Sequence, residues 1–261
     1  MINENNVLAK IVVFDSGLGS LSVIKEIQKI TKTEIVYFAD QKNYPYGTKS
    51  QAQLNTIMKK TINLLEEKFM PDIIVVASNT PSLMLNLQTK NIVDVKPPLK
   101  LAQKKSKSKK IAILATKSAI NSKGLRNYIK ENNIPKSYKI FKINGSNLVD
   151  LVESGKFLNE KKYCKKIIKK SLKNYIIKEK IDTITLSSTH LLFLKTLLEK
   201  EFPEVEFIDP GSLVAKKIFL KIKNKQSKRN SLKIFTSGDI INFKNKLNKI
   251  GIKNKINYLS T

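Results

Sequence analysis

Cysteine is almost absent: Cys164 is the only one in 261 residues. A disulfide within the chain and a thiolate metal cluster are both excluded by that count. Cys164 lies in "KKYCKKIIKK", where basic neighbours favour a thiolate, but no acid–base partner is near, and it reads as a bystander on a helix. Arginine is equally scarce. Of 49 basic residues only Arg126 and Arg229 are arginine, although the net charge is +28. Nucleic-acid sites favour the planar arginine fork, and these lysines are spread along the whole chain. The excess reads as solvated lysine faces from a compositional bias, with no specific nucleic-acid partner. Long apolar runs are missing too. None approaches membrane-spanning length, and the start "MINENN" lacks the layout of a signal peptide, so a soluble cytoplasmic protein with no membrane partner is expected.

What is present is alternation. Short apolar runs at 10–17, 34–40, 72–79, 110–116, 138–145, 182–188, 205–209 and 232–238 read as strands, solidly apolar as if covered on both faces. Helix-length segments lie between them at 50–69, 118–133, 159–180 and 190–201. Strand–helix alternation predicts a mostly parallel α/β fold. The stretch "VKPPLKLAQKKSKSKK" (95–110) interrupts the pattern with two prolines and a lysine run and marks a domain boundary; "DPGS" (209–212) marks a second. The expected domains are 1–97 plus 210–261, and 98–209. The halves rhyme: "DIIVVASNT" and "DTITLSSTH" each run from Asp through an apolar strand to small polar residues, placing Ser78 and Ser188 at equivalent strand ends.

Ligands gather beyond the carboxyl ends of parallel strands, and the unusual residues are there. "FDSGLGS" places Asp15 and Ser16 before a glycine turn; either could cap the next helix. Gly17 and Gly19 imitate half of a dinucleotide fingerprint, but Ser22 replaces the third glycine and Asp15 would face the pyrophosphate. In "NYPYGTKS" turn chemistry accounts for the sequence, while Gly47 offers an unobstructed amide. In "ASNTP" Thr80 can cap a helix beginning at Pro81, which leaves Ser78 and Asn79 unexplained. His190, the single histidine, follows Ser188 by two residues. With Asp15 and Ser78 it formally offers a hydrolase triad, yet no G-x-S-x-G elbow exposes the serine. Glu153 comes late on an apolar helix ending at Gly155, either solvated or turned toward a cleft.

Six stretches in order, "VFDSGLGSLSV", "YFADQKNYPYGTKS", "VVASNTPS", "ILATKSAINS", "LVESG" and "LSSTHLL", resemble the glutamate racemase family over nearly the whole chain. The resemblance implies two pseudo-symmetric α/β domains, each a mostly parallel sheet flanked by helices, with the active site in the cleft between them. It implies no cofactor, no metal, and D-glutamate made for peptidoglycan and hence for cell-wall biogenesis and cell shape. It assigns substrate contacts to Asp15, Ser16, Tyr46, Gly47, Asn79, Thr80, Thr189 and His190. Glu153 and His190 match groups that assist one catalytic base, and Asp15 matches the group that assists the other. The bases are cysteines in the family and Ser78 and Ser188 here. Ser187 stands where glycine is usual, and Leu191-Leu192 where Tyr-Pro is usual. Oligomeric state is not legible, a homodimer being one option.

Racemisation removes the α-proton from one face and returns a proton on the other, so two bases must face each other. If a serine ionises roughly five units above a thiol, its alkoxide costs about 7 kcal/mol more to form. A stronger base recovers part of this, leaving a loss of roughly two to four orders of magnitude in rate. The serines admit three accounts: a slow racemase, an inactive relative that binds or senses an acidic amino acid, or an engineered Cys→Ser pair.

Overall fold

The computed structural model describes residues 8–261 apart from 86, 88 and 224. Its strands are β1 (Lys10–Asp15), β2 (Glu34–Ala39), β3 (Ile73–Val76), β4 (Ile92–Asp94), β5 (Lys110–Ala115), β6 (Lys139–Asn144), β7 (Thr183–Leu186), β8 (Glu206–Ile208), β9 (Ser231–Thr236) and β10 (Ile256–Tyr258). They form two sheets, ordered β10-β9-β2-β1-β3-β4 and β6-β5-β7-β8. Every pairing among the described residues is parallel.

Helices cover both faces, which is why the central strands are solidly apolar. In β1, Ile11 and Val13 join a core with Ile24 and Ile27 of the Ser20–Ile30 helix and with Val214 and Ile218 of the Gly211–Ile222 helix. Val12 and Phe14 face the other way, onto Leu54, Met58 and Leu65 of the Gln51–Phe69 helix. That helix opens with a capping box between Ser50 and Gln53. In β5, Leu114 packs with Cys164, Ile168, Leu172 and Ile176, the fourth-residue stripe of the Lys161–Glu179 helix. Cys164 is thus a buried core residue, and burial raises its thiol pKa; the thiolate that its basic neighbours suggested is disfavoured. The edge strand β6 departs from the solidly apolar expectation, because only Ile143 is buried along it.

Some boundaries differ from the sequence reading. Residues 95–110 are no bare linker: Pro97 and Pro98 lead into a helix, Leu99–Lys105, before the chain enters β5. The segment 118–133 breaks into Lys117–Asn121 and Lys123–Glu131, with Ser122 capping the second through its hydroxyl to Leu125 N–H. Residues 190–201 begin as a 3-10 turn, Thr189–Leu194, and become α-helical only at Lys195. No helix among the described residues is long and apolar enough to cross a membrane.

Candidate active site

Each sheet has one place where the chain reverses direction across it, between β1 and β3 in the first and between β5 and β7 in the second. Such switch points open a crevice at the strand ends. The two are built alike. Ala77 N–H donates to Phe14 O at 2.8 Å, and Ser187 N–H donates to Leu114 O at 2.8 Å. One residue later, Ser78 and Ser188 are both extended, with φ and ψ of −141° and 126° against −147° and 132°. The aspartates before the two strands also match: Asp72 accepts from Lys10 N–H, and Asp182 from Lys107 and Ser108 N–H. The rhyme in the sequence is therefore a repeated structural device.

The strand ends face a cavity of about 60 Å³ lined by Ser78 and Ser188 together with Asp15, Ser16, Tyr46, Gly47, Asn79, Thr80, Thr189 and His190. Tyr44, Pro45, Thr116, Val149 and Ser187 complete the wall; of these, Thr116 and Val149 were not singled out from sequence. Thr116 follows β5 as Ser16 follows β1, and the repeat could have revealed it; Gly145 N–H to Ala115 O matches Asp40 N–H to Asp15 O. A larger cavity of about 530 Å³ adjoins it, sharing Tyr44, Pro45, Gly47, Thr116 and Val149.

Asp15 does not cap a helix, since the Ser20–Ile30 helix starts beyond it with Gly19 at its cap. Its carboxylate instead accepts from Ser16 N–H at 2.7 Å and from the Thr189 hydroxyl at 3.2 Å. Burial pushes Asp15 up to about 6, against the opposing pull of the His190 charge, the Ser16 amide and the Ser78 hydroxyl. His190 is buried with Nε2 2.6 Å from Glu153 Oε1. Burial alone would strip its proton, but the Glu153 hydrogen bond and the charges of Glu153 and Asp15 outweigh that and raise its pKa. Glu153 lies behind His190 rather than on the cavity wall, and accepts Leu18 N–H at 3.0 Å. Burial opposes its charge, yet His190, Leu18 and Lys246 hold the carboxyl down at about 2. His190 Nε2 is thus taken by a carboxylate, and no hydrogen bond joins the imidazole to Ser78 or Ser188 among the described residues, so the serine contact that a hydrolase triad needs is missing.

Two glycines explain the first loop without a nucleotide. A Cβ on Gly17 would collide with Glu153 Oε1, and one on Gly19 with the Thr189 hydroxyl and His190 Nδ1. Both admit the second half of the molecule at close range. Ser22 reinforces the approach, its hydroxyl reaching Gly19 O at 2.7 Å and Thr189 O at 3.0 Å. Thr80 is not a cap either. The helix is Asn79–Met84, so Pro81 sits in its first turn, where a missing N–H costs nothing, and the Thr80 hydroxyl meets that of Thr116 at 3.3 Å. Asn79 is buried with both ends of its amide unpartnered among the described residues.

The remaining wall is the 43–48 loop. Asp40 anchors it from below, accepting from Tyr46 Oη at 2.8 Å, Asn43 Nδ2 at 3.0 Å and Ser237 Oγ at 3.1 Å. With its hydroxyl committed to Asp40 and its ring in the core, Tyr46 serves the wall through its backbone. Tyr44 supplies the phenol near the opening.

No family model matches the chain. The glutamate racemase of Leptospira borgpetersenii serovar Hardjo-bovis is 30% identical over 230 residues, which are 85% of this chain and 86% of that one. The structure of a glutamate racemase isoform from Bacillus anthracis superposes with a TM-score of 0.82 at 24% identity, covering 97% of both chains. That of the Escherichia coli glutamate racemase, solved with L-glutamate and the activator UDP-MurNAc-ala, gives 0.80 at 23%, covering 97% of this chain and 98% of that one. The ordered motifs, the two parallel sheets and this identity over most of both sequences lead to one conclusion: the chain belongs to the glutamate racemase family.

Proposed function

We propose that the protein interconverts L- and D-glutamate in the cytoplasm without a cofactor, supplying D-glutamate for peptidoglycan, with Ser78 and Ser188 as the two bases. The domains in this reading are 1–97 with 210–261, and 98–209. The observation that carries it is the pair of equivalent strand ends presenting Ser78 and Ser188 to one cavity. Asp15 belongs to the Ser78 side, where the Ser78 hydroxyl already lowers its pKa. His190 belongs to the Ser188 strand end, two residues on. In one direction Ser78 Oγ takes the α-proton while its own proton passes to the Asp15 carboxylate. Ser188 Oγ gives its proton to the opposite face of the α-carbon and is replenished from the His190 imidazolium. The reverse direction exchanges these roles, as a two-base mechanism requires. The orphan amide of Asn79 and the hydroxyls of Thr80 and Thr116 are groups suited to the two carboxylates and the amine of the substrate.

Serine in place of a thiol makes the reaction slow, by the roughly two to four orders of magnitude estimated above. The same substitution favours a second reading, an inactive relative that binds an acidic amino acid and acts as a sensor. Proton exchange separates the two. In deuterated water the α-proton of both L- and D-glutamate should be replaced at a rate above the uncatalysed background, and either enantiomer should raise the melting temperature. A melting shift without exchange supports the sensor; neither effect at millimolar glutamate removes the ligand site.

A further inference from the structure

Glu153 is gripped from both halves of the molecule. From its own half comes His190, 2.6 Å from Oε1. From the other half come Leu18 N–H, 3.0 Å from the same oxygen, and Lys246 Nζ, 3.3 Å from Oε2. Lys246 lies on the Ile240–Lys249 helix, which Asp239 caps and which Phe243 and Leu247 fasten to the first sheet. We propose that Lys246 is a positioning residue for His190, its ammonium clamping Glu153 across the cleft so that the Glu153–His190 pair is complete only when the two halves are closed. The meaning of the clamp for proton transfer rests on the racemase reading; the clamp itself does not.

The argument is one of satisfied atoms. The side chain of Glu153 is only 10% exposed, and its Oε1 is already shared by an imidazole and an amide. Oε2 has Lys246 as its partner, and a buried carboxylate oxygen left without one is costly. Losing the ammonium frees the carboxylate to rotate toward water, taking Oε1 away from His190. The ion pair also spans the halves, so domain closure and the alignment of His190 become one event.

Charge adds a second effect. The charged groups facing His190 are Glu153 on the Ser146–Glu153 helix, Asp15 at the end of β1, and Lys246; the first two favour its proton and Lys246 opposes it. Lys249, beside Lys246, lines the cavity of about 260 Å³ behind Glu153. The phenols of Tyr37 and Tyr44 are held neutral by burial. Lys246 thereby keeps the Glu153–His190 pair formed while making His190 a readier proton donor.

His190 is the only histidine, so nuclear magnetic resonance of its imidazole reads this site alone. Lys246→Met should lower the His190 titration midpoint, because the imidazole loses the Glu153 partner that holds its proton, and should move the resonance of the Nε2 proton shared with Glu153. Lys246→Arg should restore both. Lys246→Gln, equally uncharged, should repeat the methionine result if methionine disturbs folding. An unchanged midpoint, or one raised as loss of the ammonium charge alone would raise it, in an uncharged variant that melts like the parent overturns the clamp. In the exchange assay with glutamate, Lys246→Met should reduce kcat more than it changes KM. Absence of exchange in every form would instead count against the racemase reading, with the titration still deciding the role of Lys246.

Discussion

At the scale of the residue, the site divides its labour between an acid whose carboxyl is pushed up and a histidine whose proton is held on. Asp15 is raised to about 6 by burial, so it is a carboxylate at neutral pH and close to changing state. In the proposed mechanism only the ionised form can take a proton from Ser78. As pH falls through about 6, Asp15 becomes protonated and proton abstraction on that face should fail. The α-exchange rate should therefore decline on the acid side with an inflection near pH 6, and Asp15→Asn should lower the rate and erase that inflection; an inflection that survives Asp15→Asn assigns it to another group. Asn79 tells a similar story in stability. A buried amide without partners costs about 1–3 kcal/mol, a loss that makes sense where a ligand supplies the missing bonds. Asp15, Ser78, Asn79 and His190 were legible in the sequence because each follows an apolar run at a strand end. Lys246 and Asp40 were not. Their roles come from contacts across 93 residues in one case and from a buried hub in the other, and neither leaves a local pattern.

At the scale of the element, the same unit is used twice. A parallel strand starts against an aspartate, runs apolar, and ends in an extended serine. Two coverings of helices fix the register, so the serines cannot slip to the other face. This much was readable because buried parallel strands are continuous apolar runs with clear ends. The three-residue edge strands β4 and β10 were missed, being too short for any periodicity. The helix at Leu99–Lys105 was hidden by the prolines that in fact precede it. The loop after β1 carries the tightest constraint. A side chain on Gly19 would occupy the position of the Thr189 hydroxyl and crowd His190. Gly19→Ala should leave each half folded but hold them apart, costing about 1–3 kcal/mol and lowering α-exchange by more than tenfold. Calorimetry and the exchange assay together check this; an alanine variant with parental exchange would mean that closure at Gly19 is not needed.

At the scale of the whole molecule, the proposed function depends on two halves meeting over a small polar space. They meet through Thr189 and Asp15, Ser22 and the Thr189 carbonyl, Thr80 and Thr116, and Lys246 and Glu153. The inner cavity of about 60 Å³ is small, so in the proposed function glutamate enters by parting these contacts. The net charge of +28 is carried largely by exposed lysines such as those opposite the Cys164 stripe. It favours the approach of an anionic amino acid through a screened field, without specifying a nucleic acid. The central claim is that this closed cleft retains racemase geometry and lacks only good bases. Restoring thiols with Ser78→Cys and Ser188→Cys tests it most directly, since Ser and Cys are close in size. The rate of D-glutamate formation from L-glutamate should rise by roughly two to four orders of magnitude. Either single change should give less, with unequal solvent exchange for the two enantiomers. A doubly substituted protein that folds and binds glutamate, yet neither racemises it nor exchanges its α-proton, would contradict the account.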